Sequence, residues 1–119
     1  MSPEKARIFI AEDDSDWQNM IKECLEEAGH SVVATAQSLP EALNTVKRLN
    51  NLHVDVAVID GNLNELDSDG HDGRVVLQAI REHAPSVKTI GMSGNSVRGT
   101  DVDLGKANVV DIGNVVTKL

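Results

Sequence analysis

The run Val54-Asp55-Val56-Ala57-Val58-Ile59-Asp60 constrains this chain more than any other stretch. It is short, apolar, rich in β-branched side chains and closed by a carboxylate. Such a run suits a strand buried on both faces, as in a parallel sheet. The acid stands at its end because an ionised carboxylate is costly in an apolar interior. Far upstream, Arg7-Ile8-Phe9-Ile10-Ala11 has the same form and ends on Glu12-Asp13-Asp14. In open α/β sheets, ligands collect outside the carboxyl ends of the strands, at the switch point of the strand order. Two strands that both finish in acids therefore predict one shared acidic pocket.

Helix and strand signals alternate around these two runs. Trp17, Met20, Ile21, Cys24, Leu25 and Ala28 recur at helical spacing. Asp14 or Ser15 can cap the start of that helix, and Gly29 suits its end. Residues 31–35 read as a second strand. Ser38-Leu39-Pro40-Glu41 has the form of a capping box, and Leu39, Ala42, Leu43, Val46 and Leu49 continue as a helical stripe. Residues 73–84 form a third helix with Val76, Leu77 and Ile80 inward, stopped by Pro85. Residues 87–92 form a fourth strand that runs into Ser93-Gly94-Asn95-Ser96. Residues 97–108 contain Gly99, Gly105 and few apolar positions, so the expected fourth helix is short or irregular. A fifth strand is expected at residues 114–117. The alternation implies one domain over residues 1–119, of α/β class, with a doubly wound five-stranded parallel sheet and helices on both faces.

The bulk numbers narrow the function classes. The 119 residues suffice for one core, not comfortably for two. A net charge of −8 argues against a bare electrostatic nucleic-acid binder and against an anionic membrane surface. No apolar run is long enough to cross a bilayer, and residues 1–7 lack the apolar stretch of a secretory signal. The single cysteine, Cys24, excludes an internal disulfide framework and fits a reducing compartment, so a cytoplasmic protein is expected. Cys24 lies on the inward stripe of the first helix and reads as a small buried hydrophobe. His30, His53, His71 and His83 show no metal-ligand spacing and are expected at the surface. Asp60, Asn62 and Asn64 hint at a calcium loop but lack its glycine and closing glutamate.

Acids end strands one and three, a hydroxyl ends strand four and a lysine ends strand five: Glu12, Asp13, Asp60, Ser93 and Lys118. The segments Ile10-Ala11-Glu12-Asp13-Asp14, Val58-Ile59-Asp60, Glu82-His83-Ala84-Pro85 and Ile90-Gly91-Met92-Ser93-Gly94 follow in that order. This ordered set resembles the receiver domain of two-component response regulators, over essentially the whole chain. The resemblance implies a flavodoxin-like sheet of order 2-1-3-4-5. It makes Asp60 the phosphoryl acceptor, and Glu12, Asp13, Asp60 and the backbone carbonyl of Asn62 the Mg²⁺ site. Ser93 and Lys118 would bond phosphoryl oxygens. A histidine kinase or phosphotransfer protein would donate the group, and a downstream effector or a missing C-terminal segment would read the result. The chain would then catalyse only its own Mg²⁺-dependent phosphorylation and dephosphorylation. These residue types suit that chemistry. A divalent cation relieves the repulsion between close carboxylates and keeps Asp60 ionised and nucleophilic. Phosphoryl transfer then needs mainly positioning and charge neutralisation.

Some features depart from that pattern. The acidic loop after Asp60 is long, with Gly61, Asn62 and Leu63 where the family has a Met-Pro pair. Val115 stands in for the usual aromatic, and Leu119 follows Lys118 where the family has proline. The last helix is expected to be missing, which would leave apolar surface beside the first helix. These departures keep a second function open: a degenerate receiver that acts as a phosphorylation-independent interaction module. A flavodoxin-like electron carrier is disfavoured, because acids replace the phosphate loop and Phe9 and Trp17 are the only aromatics. A stand-alone hydrolase lacks a dedicated general base near Asp60.

Overall fold

A computed structural model describes residues 5–60, 71–92, 100–104 and 106–119. Its elements are β1 (Arg7–Ala11), α1 (Ser15–Glu27), β2 (Ser31–Ala36), α2 (Leu39–Val46), β3 (Val56–Ile59), α3 (His71–His83), β4 (Lys88–Gly91), β5 (Val102–Asp103), a 3₁₀ helix (Lys106–Asp111) and α4 (Ile112–Lys118). Four strands of four to six residues pair in parallel in the order β2-β1-β3-β4. The two residues of β5 extend that sheet beyond β4. The expected parallel α/β sheet is thus present as four full strands, with only a two-residue fifth.

Each strand sends alternate side chains to opposite faces, so one apolar run supplies two cores. Phe9, Ala11, Ala57 and Ile59 pack with α2 and α3 residues such as Ala42, Val46, Val76 and Ile80. Ile8, Ile10, Val56, Val58 and Ile90 pack with Ile21 and Leu25 of α1 and with Ile112 and Val116 of α4. All four residues of β3 are buried, which is why that stretch carries no polar position before Asp60.

The helix starts follow the local chemistry. The Asp14 side chain accepts hydrogen bonds from the backbone N–H groups of Asp16 (2.9 Å) and Trp17 (3.2 Å) and caps α1. Ser38 caps α2 by accepting from the Glu41 N–H at 3.3 Å. Gly29 ends the α1 turn at φ +93, a left-handed conformation that glycine adopts without strain.

The C-terminal third differs from expectation. The strand foreseen at residues 114–117 is helix α4; of the helix foreseen at residues 97–108, residues 97–99 and 105 lie outside the described residues, and Val102–Asp103 are strand β5. Ile112 and Val116 are one helical turn apart and both buried against the α1 side of the sheet. That packing outweighs the strand preference of a Val-Val-Thr run. Gly113 lets the helices approach closely, since a Cβ there would collide with the Ala28 Cβ and lie 3.3 Å from the Cys24 carbonyl oxygen. The helix foreseen as missing is therefore present, and α4 covers the apolar flank of α1. β5 is pinned by Asp101, whose carboxylate accepts from the Thr89 N–H (2.8 Å) and hydroxyl (3.1 Å).

His30 also departs from its expected surface position. It is 3% exposed and joins three elements. The Ala6 N–H donates to its Nδ1 at 3.0 Å, which places the ring proton on Nε2. Nε2 then faces the Gly113 carbonyl (3.2 Å) and the Thr117 hydroxyl (3.1 Å). α4 is thereby tied to the amino-terminal edge of the sheet.

The α1–α4 contact predicts a sharp contrast between neighbouring sites. Gly113→Ala should destabilise the fold by about 1–3 kcal/mol through overpacking. Asn114→Ala, at an exposed position of the same helix, should stay within about 0.5 kcal/mol. Urea unfolding followed by circular dichroism measures both.

Candidate functional site

Backbone pairing assembles the site. β1 and β3 run in parallel with Ala11 opposite Ile59. One residue further on, the Asp60 N–H donates to the Ala11 carbonyl at 2.8 Å. Glu12 and Asp13 leave β1 at the same edge where Asp60 leaves β3. The Glu12 N–H bonds the Ala36 carbonyl at 2.9 Å, so β2 holds the first acid in place. The buried Gln18 amide donates to the Glu12 and Ala36 carbonyls, each at 3.3 Å, and ties the first turn of α1 to both strand ends.

The three carboxylates converge. Glu12, Asp13 and Asp60 each offer an oxygen within 4.8 Å of the others. Glu12 is 1% exposed and Asp60 4%, while Asp13 is half-buried. Like charges this close repel by roughly 3–4 kcal/mol per pair at the effective dielectric of a protein surface. An all-oxygen carboxylate set of this kind fits a hard divalent cation such as Mg²⁺, which takes oxygen ligands and keeps several waters. Glu12, Asp13 and Asp60 are the described residues that would hold it.

The other expected site residues divide. Asn62 and Ser93 lie outside the described residues. The residue before Ser93 is placed: the Met92 N–H donates to the Ile59 carbonyl at 2.8 Å, so β4 ends beside β3 at the acidic edge. Lys118 is not brought to this edge. It is exposed at the end of α4, directly after Thr117, which bonds His30 ahead of β2. That is the amino-terminal edge of the sheet, about 16 Å from the acids along a five-residue strand.

The lysine that follows strand five is Lys106. β5 ends at Asp103, and Lys106 opens the 3₁₀ helix three residues later. A signal for it existed in the sequence: Val102 and Leu104 alternate around Asp103, and a lysine follows shortly after. Gly105 and the weak apolar pattern masked it, because two paired residues leave almost no periodicity to read.

The comparisons with known proteins bear on this arrangement. A family profile described as the response regulator receiver domain matches residues 8–118. The chain belongs to that family. The receiver is 32% identical, over 110 residues, to the alginate biosynthesis transcriptional regulatory protein AlgB of Pseudomonas aeruginosa. That match covers 92% of the receiver and 22% of AlgB, so the chain spans about a fifth of that relative's length. The structure of a CheY-like response regulator receiver domain protein from Methanospirillum hungatei superposes with a TM-score of 0.75 at 23% identity, covering 94% of this chain and 90% of that one. The signal receiver domain of a modulated diguanylate cyclase from Desulfovibrio desulfuricans gives the same TM-score and coverages at 16% identity. These two structures speak for the fold alone. Among the described residues, no helix is long and apolar enough to cross a membrane.

The crowded carboxylates predict a specific stability pattern. In EDTA, Asp13→Asn should raise the stability of the receiver by about 1 kcal/mol, because it removes one of three close charges. With Mg²⁺ added, the wild type should gain stability by mass action and the variant should gain much less. Thermal unfolding in EDTA and in millimolar Mg²⁺ reads both effects.

Proposed function

We propose that this receiver is a phosphoacceptor, taking a phosphoryl group from the phosphohistidine of a histidine kinase or phosphotransfer protein onto Asp60. The observation that supports this best is the convergence of Glu12, Asp13 and Asp60 within 4.8 Å at the carboxyl edge of the sheet. In the step, a carboxylate oxygen of Asp60 attacks phosphorus and the O–P bond of an acyl phosphate forms. The P–N bond of the donor breaks, its electron pair stays on the imidazole nitrogen, and solvent supplies that nitrogen's proton as needed. A bound Mg²⁺ would supply charge neutralisation at the crowded carboxylates. The backbone bond from Asp60 to Ala11 fixes the nucleophile against β1. Glu12 and Asp13, with Asp60, are the residues that would hold the cation.

The lysine role passes to Lys106, because it follows strand five at the acidic edge. Ser93 keeps its role as a hydroxyl donor to the phosphoryl group, on the strength of the family pattern and the placement of Met92. The acyl phosphate adds negative charge and acceptor oxygens, which re-order the surface around the pocket. A downstream effector reads that surface in the cytoplasm. Beyond its own phosphorylation and dephosphorylation, this chain catalyses nothing.

Phosphoramidate with Mg²⁺ tests this without a partner. Intact-mass spectrometry should show one added phosphoryl group on the wild type and none on Asp60→Asn. Lys106→Ala should slow labelling at least tenfold, whereas Lys118→Ala should stay within twofold. No labelling of well-folded wild-type protein would instead favour the phosphorylation-independent interaction module.

A further inference from the structure

α2 and α3 pack on the same face of the sheet and are in contact with each other. Each returns the chain from the carboxyl edge of one parallel strand to the amino-terminal edge of the next, so the two helices run in the same direction. Between them lies an open groove of about 430 Å³, lined by Leu43 of α2 and by Arg74, Val75, Gln78, Ala79 and Glu82 of α3. Leu43 and Val75 are half-buried, yet they belong to neither hydrophobic core. Ala79, one turn past Val75, packs on the core and lines the groove as well. The fold thus holds aliphatic side chains from two helices around one groove without using them in its own interior.

The groove ends among cations. Lys47 stands one turn past Leu43 on the same line of α2, and Arg48 follows it. Arg81 lies in the last turn of α3, Lys88 opens β4 and Arg7 opens β1. All five are exposed. Among the described residues, Lys47, Arg48 and Lys88 form no ion pair. The Asn50 amide donates to the His83 carbonyl at 2.8 Å and ties the two helix ends together. The acids at this corner are already engaged: the Asp55 carboxylate accepts from the Arg7 N–H at 2.9 Å, and Glu82 accepts from the Gln78 amide at 3.2 Å. A chain with a net charge of −8 therefore carries a locally basic edge. Screening over about 8 Å at physiological salt makes that local sign, not the net charge, the one a docked partner meets.

We propose that the α2–α3 groove and the cations at its end form a docking surface for an acidic amphipathic helix of a partner protein. Its aliphatic side chains would fill the groove between Leu43, Val75 and Ala79, and its Asp and Glu side chains would meet Lys47 and Arg48. The two features select this occupant together. An apolar helix face laid in a groove supplies the desolvated centre of an interface, and charge complementarity at the rim sets its partner and orientation. A second copy in a two-fold contact would bring Lys47 and Arg48 against their own equivalents. The surface is separate from the acidic pocket: Asp60 stands at the opposite edge of the sheet, about 13 Å away along the four residues of β3. A partner seated in the groove leaves Asp60 open to its phosphodonor, so the contact forms in either phosphorylation state.

Selection from a phage-displayed library of random peptides about 14 residues long, or four helical turns, tests this on the immobilised chain. Selected peptides should carry aliphatic residues at helical spacing among Asp and Glu, and fluorescence anisotropy should show their binding weaken as salt rises. Leu43→Ala/Val75→Ala and Lys47→Glu/Arg48→Glu should each weaken binding at least tenfold, with circular dichroism confirming that both variants are folded. Asp60→Asn should bind within twofold of wild type, and phosphoramidate should label both double variants within twofold of wild type. The second pair of substitutions lies at exposed positions, so it decides the matter even where the first disturbs folding. A library that yields no binders, binders without carboxylates, or binders indifferent to both double variants would overturn the proposal. So would a wild-type dimer that becomes monomeric in Leu43→Ala/Val75→Ala. Failure of phosphoramidate to label the wild type would remove the phosphoacceptor reading and leave the docking surface standing.

Discussion

The parallel pairing of β1 with β3 is the constraint on which the rest depends. With Ala11 opposite Ile59 and the Asp60 N–H on the Ala11 carbonyl, the next residues of both strands must emerge side by side. A slip of one residue would turn Asp60 toward the other face and bury Ile59 where the carboxylate now stands. The two apolar faces of β1 and β3 make such a slip costly, because each face has its own helix pair to satisfy. Core packing therefore fixes the geometry of the acidic pocket, with the core residues Ala11 and Ala36 holding the backbones of Asp60 and Glu12.

The site is built against its own electrostatics. Three carboxylates lie within 4.8 Å of one another, two of them almost fully buried, and backbone hydrogen bonds fix the chain at Glu12 and at Asp60. The Glu12 backbone is gripped by Ala36 and Gln18, and the Asp60 backbone by Ala11. The fold sustains the repulsion, and a cation or a phosphoryl group can use it. This is a common pattern at functional sites, where local rules are broken and the surrounding structure compensates.

Both central acids and their strands were readable because the signal was local. A continuous β-branched run ending on a charge has few alternatives, and β1 and β3 each carried one. The caps at Asp14 and Ser38 were readable for the same reason, since an N-cap is a property of four adjacent residues. The C-terminal third was not. β5 has two residues, too few for any periodicity, and it is held by the Asp101–Thr89 bonds across twelve positions. The Val-Val-Thr run of α4 favours a strand on propensity, and only Gly113 against Ala28 and the His30 link show why it is helical. The lysine followed from the same misreading: with strand five placed too late, Lys118 was read as the lysine at its end, whereas the one that follows β5 is Lys106.

The sequence alone determined the class of fold, the buried strands and the two acid clusters at their ends, because strand burial and charge placement are written in short runs. Tertiary structure decided where strand five ends and the last helix begins, and where His30 lies. Those outcomes depend on contacts between separate segments, twelve positions apart for Thr89 and Asp101 and more than eighty for His30 and α4. No local pattern encodes them, since a β-branched run adopts whichever conformation buries it better.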